Sequence, residues 1–246
     1  MNFLKAFLLV VGFFLFTEIS AQSEESFAAS ILASGVLQTG QTSRIVTNTF
    51  LDTKYRTKLF SWEHYSQYTY GTLGKSGSFP KRVLENDFLT THVLKFWPNQ
   101  LLFPALFPMY ETSNLRGVKD RFALSAGVGW SILKKEGVSL EVDLGLGYEI
   151  NSFQITSNND TWRLITRFQG IYNLKNSPFT IYYIAVYQPS IEKGDDSRFR
   201  SLAKINFRLN KLIGLNIVYS LIHEEFVDKG RQKNNSQFTY GINLSF

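Results

Sequence analysis

The sequence predicts an all-β protein, an antiparallel transmembrane β-barrel of about 12 strands. Three observations support this fold class. Apolar and polar residues alternate along many segments, aromatic residues reach 15% of the chain, and the N-terminus has the pattern of an export leader. After that leader, no stretch approaches the ~20 consecutive apolar residues that a membrane helix needs.

The N-terminal segment predicts a cleaved signal peptide over residues 1–21, followed by a barrel domain over residues 22–246. Lys5 supplies positive charge, an apolar run extends from Ala6 to Phe16, and Ala21 offers a small residue before the cleavage point. A membrane anchor is the weaker interpretation because the run is about half of a membrane span. We therefore expect export to the outer membrane of a Gram-negative bacterium.

The clearest strand runs from Val138 to Glu149, where every aliphatic residue falls on one face and every charged residue falls on the other. Similar or weaker alternation predicts further strands of roughly the ~9–11 residues that cross a membrane when tilted. They lie near Ala28–Gln38, Ser43–Tyr55, Leu59–Tyr70, Asp87–Trp97, Leu101–Tyr110, Arg121–Trp130, Trp162–Tyr172, Phe179–Tyr187, Arg198–Leu209, Ile213–His223 and Phe238–Phe246. Pro104 and Pro108 cannot donate ladder hydrogen bonds, so the fifth strand is expected to be bent or partly irregular.

The connections between these strands alternate between short turns and longer polar loops. This asymmetry is typical of outer-membrane barrels, whose turns face the periplasm and whose loops face outwards. The longer connections are predicted near Gly71–Asn86, Glu111–Asp120, Asn151–Asp160, Gln188–Ser197 and Glu224–Asn235.

The polar face of each strand is expected to line the lumen. The export leader, the strand number and the aromatic residues at the ends of the apolar face favour this arrangement over a soluble barrel with an apolar core. A charge facing lipid at mid-bilayer would also cost ~2–4 kcal/mol. The predicted lumen charge ladder comprises Glu141, Asp143, Arg163, Arg167, Lys204 and Arg208.

Within the ladder, the loop position predicts Asp143 opposite Arg167 and Glu141 opposite Gln169. Such a ladder either holds the interior together or forms a constriction that selects solutes. Phe246 ends the chain inside a strand, and a terminal aromatic residue of this kind is the signal that barrel-assembly machinery reads.

Composition narrows the function classes. The chain has no cysteine, which removes thiolate catalysis and thiolate metal sites, and we expect neither a metal nor another cofactor. The net charge of +6 is scattered along strands and turns, so a nucleic-acid partner is not expected. Contact with outer-membrane lipid and anionic lipopolysaccharide fits the positive charge better, although a solvated surface explains it equally simply.

One group of residues is compatible with an enzymatic function. His64 lies two residues before Ser66 and shares its face, and His92 on the next strand is expected nearby. This is the weak alternative of a lipid hydrolase or acyltransferase, in which a histidine base activates a serine nucleophile. A hydrogen-bonded histidine at the membrane interface is the simpler interpretation.

Three stretches of the chain carry a resemblance to a known family. They are "ASGVLQTGQTSRIVTNTFLDTKYRTK", "NDFLTTHVLKFWPNQ" and "RFALSAGVGWSILKKEGVSLEVDLGLGYE", and their order and spacing resemble the salt-induced outer-membrane-protein family, itself classed as a domain of unknown function. The most specific part is the pair Gly127–Trp130 and Gly145–Tyr148 around a lysine-rich turn. The resemblance implies an outer-membrane barrel and supplies no catalytic or ligand-binding residues.

The leading hypothesis is therefore a non-enzymatic outer-membrane barrel that passes small solutes or responds to salt and osmotic conditions. A lipid-modifying enzyme and a structural or adhesive barrel with functional external loops are the alternatives.

Overall fold

The computed structural model describes residues 26–38, 42–75, 82–174 and 177–246, so the predicted signal peptide lies outside the described residues. The described residues form 12 strands that close into one antiparallel barrel. The strands are β1 Ser26–Gln38, β2 Thr42–Arg56, β3 Phe60–Lys75, β4 Arg82–Phe96, β5 Leu102–Ser113, β6 Val118–Lys135, β7 Val138–Phe153, β8 Thr161–Asn173, β9 Phe179–Pro189, β10 Ser197–Arg208, β11 Ile213–Glu224 and β12 Asn234–Ser245. Among these residues, no helix is long and apolar enough to cross a membrane.

Each strand pairs with its neighbours in the sequence, and β1 pairs with β12 to close the barrel. The closing register joins Ser30–Ser34 to Gly241–Ser245. Phe246 extends this seam, because its backbone N–H donates to the Ala29 carbonyl at 2.8 Å. Closure is required in a membrane because lipid cannot satisfy the hydrogen bonds of an open strand edge.

Two of the predicted loops are wrong in length. β3 continues to Lys75 and β4 begins at Arg82, while β5 continues to Ser113 and β6 begins at Val118. The residues assigned to loops between Gly71 and Asn86 and between Glu111 and Asp120 therefore belong mostly to strands. These strand ends were predicted to be loops because their composition is polar. A strand that projects beyond the bilayer no longer needs an apolar face, so its alternation is lost although it remains paired.

β5 is continuous despite its two prolines. Pro104 and Pro108 both fall on its outward face, and the register with β4 is interrupted between Leu106 and Met109. The pairing gap beside the prolines therefore lies in the β4–β5 ladder, as expected where a proline lacks the backbone N–H, and a separate register shift lies between Glu111 and Ser113 in the β5–β6 ladder.

The outward face is apolar, and aromatic residues concentrate near both of its rims. Leu144 and Leu146 of β7 are exposed at mid-strand, whereas Asp143 and Glu149 of the same strand are buried in the lumen. The lumen is not uniformly polar, however. Ile165, which breaks the alternation of β8, is buried inside, and two apolar clusters also face inwards: Leu32, Phe50 and Val218 in one, and Val93, Phe103, Ala105 and Phe107 in the other.

Candidate functional site in the lumen

A layer of charged side chains crosses the lumen near the loop end of the barrel. We call it the external charge layer, and its members are Glu111, Arg116, Arg121, Glu149, Arg163, Asp196, Arg198, Arg200 and Glu224. Of the predicted lumen charge ladder, only Arg163 belongs to it. The lumen faces of β5, β6, β7, β10 and β11 supply most of the rest, and the connections after β5 and β9 supply Arg116 and Asp196.

Glu224 is the centre of one half of this layer. Its carboxylate accepts a hydrogen bond from Arg116 Nη1 at 2.7 Å and from Arg121 Nη1 at 2.9 Å, and Arg198 Nε lies 3.0 Å away. Arg121 Nη1 also donates to Glu111 Oε2 at 2.7 Å. Ionic hydrogen bonds connect these arginines and carboxylates. They are strong here because the side chains are almost completely buried.

The other half is centred on Glu149 and Arg163. Glu149 accepts from Arg163 Nε at 2.9 Å and from Arg198 Nη1 at 2.7 Å. Arg163 Nη2 in turn donates to both carboxylate oxygens of Asp196, at 2.9 and 2.8 Å. Asp196 belongs to the β9–β10 connection, so this pair fastens an external loop to the lumen wall.

The layer also fixes the charge state of the loop residue Arg116. Burial acts to lower the pKa of its guanidinium, but the carboxylates of Glu111 and Glu224 outweigh burial and raise that pKa above its ordinary value. Arg116 is therefore charged at any physiological pH and is paired with Glu111 and Glu224 in this structure.

A second group of charges lies nearer the turn end. We call it the periplasmic charge layer, and it consists of Lys54, Glu63, Lys95, Glu141, Asp143 and Arg167. Lys95 Nζ contacts Glu63 at 2.9 Å and Glu141 at 2.5 Å. Because three cations face three carboxylates, this layer is neutral.

The predicted ladder can now be placed residue by residue. Asp143 lies opposite Arg167 and Glu141 opposite Gln169, and the Asp143–Arg167 ion pair measures 2.5 Å. Lys204 contacts Asp52 at 2.8 Å, and Arg208 lies exposed at the periplasmic end of β10. The ladder is therefore divided between two layers and the periplasmic mouth.

A cavity of 460 Å³ lies within the lumen, with Arg200 and Gln188 of β10 and β9 at its external end and Asp52 and Lys204 nearer the periplasm. Side chains of the external charge layer are between 0% and 13% exposed, whereas Asp52 is 33% and Lys204 24% exposed. Asp52 and Lys204 are therefore more accessible to water than the external charge layer, whereas Lys95, Asp143 and Arg167 of the periplasmic charge layer are also only 1–6% exposed.

The predicted nucleophile and base are close together, but on the outside of the barrel. Ser66 Oγ lies 2.8 Å from His64 Nε2, and the rings of His64 and His92 are 4.5 Å apart between centroids. Trp62 Nε1 donates to His92 Nδ1 at 3.1 Å. On the outward face of β3, Phe60 and Trp62 precede this pair and Tyr68 and Tyr70 follow it. His64 and Ser66 therefore lie between the two aromatic rims, opposite the acyl chains.

Asp228 in the β11–β12 connection holds external loops together. Its Oδ1 accepts from the backbone N–H of Thr156 at 2.7 Å and of Lys229 at 3.0 Å. Burial acts to raise the pKa of this carboxyl, but the hydrogen bonds outweigh burial and keep that pKa below its ordinary value of 3.8. A lowered folded-state pKa stabilises the loops above pH ~4, and that contribution is lost as pH falls through the folded pKa.

Asp228→Ala is therefore expected to loosen the loops at neutral pH, because it removes the acceptor that joins them. Limited trypsin digestion should then cut at Lys229, Arg231 or Lys233 at least several times faster than in the wild type. Asp195→Ala is the matched control, since Asp195 is an exposed aspartate of the neighbouring β9–β10 loop. Equal cleavage of both variants would contradict the assignment.

The fold and its charged lumen define a protein of the outer-membrane β-barrel class, with 12 antiparallel strands, an apolar outer face and a polar interior. The chain belongs to the family described as "Protein of unknown function, DUF481", whose model matches residues 31–246. No curated protein matches the chain.

Solved structures with a similar fold include outer-membrane channels. The NanC porin is 12% identical, with a TM-score of 0.50, and the match covers 88% of this chain and 98% of that one. The COG4313 outer membrane channel from Pseudomonas putida F1 is 10% identical, with a TM-score of 0.50, and the match covers 92% of this chain and 96% of that one. At these identities the similarity establishes the barrel fold.

Proposed function

We propose that this protein is a non-enzymatic outer-membrane channel for small solutes whose lumen is closed at its external end. The observation that carries the proposal is the difference in exposure between the two ends of the lumen. Asp52 and Lys204, in the part of the lumen nearer the turns, are partly accessible to water, whereas the arginines and carboxylates of the external charge layer are almost inaccessible. Solutes then enter the cavity from the periplasm, and passage requires the external layer to rearrange.

A layer of ion pairs can open and close a lumen more readily than a plug of apolar side chains. Paired charges in a lumen exchange partners without exposing apolar surface, and rings of charge set the selectivity of many pores. The chain is expected to reach the outer membrane through its leader and the assembly machinery, with Phe246 as the assembly signal and lipopolysaccharide around its external rim. A role in the response to salt or osmotic conditions, the other part of the leading hypothesis, would act through rearrangement of this layer.

The test uses the absence of native cysteine, which allows a single reactive thiol to be introduced without background. In planar bilayers the wild type should show infrequent discrete openings. A charged methanethiosulfonate reagent is then added on the turn side. A single addition should block the current through the Lys204→Cys variant. Ile205→Cys is the matched control, because Ile205 is the next residue of β10 and faces lipid. A wild type without current, together with an unblocked Lys204→Cys variant, would refute the channel.

A second candidate function is the lipid-modifying enzyme, supported by the 2.8 Å contact between Ser66 and His64. Two features weigh against it. Lipid ester groups lie at the membrane interface, whereas this pair lies between the aromatic rims at the level of acyl chains. A catalytic histidine also needs a group that orients its second nitrogen, and His64 Nδ1 is buried without a hydrogen-bond partner among the described residues. Mass spectrometry of outer-membrane lipids from a Ser66→Ala strain tests the enzyme, and unchanged lipids would reject it.

A further inference from the structure

The external charge layer carries one more positive than negative charge. Its ion-paired members are five arginines and four carboxylates, connected without a break from Arg116 through Glu224, Arg198, Glu149 and Arg163. The periplasmic charge layer is balanced, and the lumen pair of Lys204 and Asp52 is balanced as well. The carboxylate of Asp87 on β4 lies beside Arg116 and accepts a hydrogen bond from Ser113 Oγ at 2.7 Å, so the surplus arginine has to be sought in its local contacts.

Arg200 is the arginine of this layer that meets the cavity and has donors without a partner among the described residues. Its Nη2 contacts Glu111 and, at 3.3 Å, Glu224, but its Nε and Nη1 are buried and have no hydrogen-bond partner. It is also the member of the external charge layer that lines the cavity. A buried guanidinium with two unused donors binds a carboxylate or another planar anion in preference to a neutral group.

The walls next to Arg200 are apolar. Its cross-strand neighbours are Val186 on β9 and Ile222 on β11, and Leu202 is the next residue of β10 on the same face. Leu89, Met109 and Ile165 line the same cavity from the other side of the lumen. The part of an anion next to Arg200 would therefore lie against hydrocarbon side chains, while Asp52, Arg167 and Lys204 line the cavity further towards the turns.

We infer that the lumen cavity binds a small amphiphilic carboxylate, with its head on Arg200 and its apolar body towards the periplasmic mouth. The cavity volume of 460 Å³ is within the usual range for small-molecule sites, about 300–1,000 Å³. The inference rests on the proposed function and names the class of solute that the channel admits.

Decanoate labelled with ¹³C in its carboxyl group is a suitable probe. Protein in phospholipid liposomes should bind it in excess over protein-free liposomes of the same composition, with a changed carboxyl resonance. Decanol, which lacks the charge, and butyrate, which lacks the apolar body, should each bind at least tenfold more weakly.

The variant that tests the site is Arg200→Gln. It should weaken decanoate binding at least tenfold, because it removes the charge that holds the carboxylate. Arg208→Gln is the matched control, since Arg208 lies on the same strand and lumen face but is exposed at the mouth. Leu202→Trp should also abolish binding, by filling the cavity while Arg200 remains.

Equal binding by the wild type and Arg200→Gln, or no binding above the empty liposomes, would overturn the inference. The channel itself is tested separately by the thiol block at Lys204→Cys. A blocked current without decanoate binding would leave the channel in place and remove only the solute class.

Discussion

Glu224→Gln is expected to cause the largest loss of order in the lumen of any single isosteric change. Four arginines contact this carboxylate, and the substitution leaves their charges buried with one counter-ion fewer. Breaking a buried pair by removing one partner typically costs about 3–5 kcal/mol. The urea midpoint of the refolded barrel should fall, and the fraction of time spent open in planar bilayers should rise at least several-fold.

The adjacent residue supplies the control for this prediction. Glu225 is also paired, to Lys233 at 2.6 Å and to His223 at 3.0 Å, but it lies in the solvated external loop. Exposed ion pairs contribute little to stability because solvent screens them, so Glu225→Gln should leave stability and current near the wild-type values. If the two variants behave alike, the external charge layer neither stabilises the lumen nor closes it.

The period of the alternation was sufficient to predict the class of fold, the strand number and the sidedness of the best strands. Val138–Glu149 has no apolar residue on its lumen face, and a register slip of one residue would expose Glu141 and Asp143 to lipid. The pairing of Asp143 with Arg167 followed from the position of one loop, because neighbouring antiparallel strands fix their register at the connection.

The external charge layer could not be derived in the same way. Arg121 contacts Glu224 although 103 residues separate them in sequence, and no local pattern relates the two. Glu111 and Glu224 were assigned to loops because the polar strand ends resemble loops in composition. Arg121 and Arg198 contact their direct cross-strand partners, Glu111 and Glu224, so strand register accounts for those two pairs. Contacts that cross the lumen, such as that of Arg198 on β10 with Glu149 on β7, do not follow from register. The alternation of polar and apolar residues continues through Arg198 and Arg200 on β10. It predicts that both side chains face the lumen but does not identify the carboxylates that they contact.

The outward histidines show a further limit of pattern reading. Alternation places His64 and Ser66 on one face, but β3 has polar residues on both faces, so the sequence does not say which face meets lipid. The contact of Glu63 with Lys95 on the neighbouring strand β4, inside the barrel, shows which face lines the lumen.

Gly129→Leu is expected to prevent correct closure of the barrel, because the space above this glycine is already filled. A side chain at this position would begin 2.1 Å from the ring of Phe103 and 2.5 Å from Asp143 Oδ1, distances that no real Cβ contact shows. Phe103 is almost completely buried, and Asp143 is held by Arg167, so neither can move away without losing its own contacts. Even Gly129→Ala should cost about 1–3 kcal/mol, the usual penalty of overpacking.

Gly170→Ala provides the comparison on β8, where the added Cβ would meet Leu140 at an ordinary 3.6 Å on the outward face. Since glycine is unfavourable within a strand by roughly 0.5–1 kcal/mol, this variant should be as stable as the wild type or more so. Urea unfolding followed by tryptophan fluorescence should therefore separate the two alanine variants in opposite directions. Destabilisation of both would mean that the strands tolerate no added side chain on either face, and the packing of Phe103 into the lumen would no longer explain the glycine at 129.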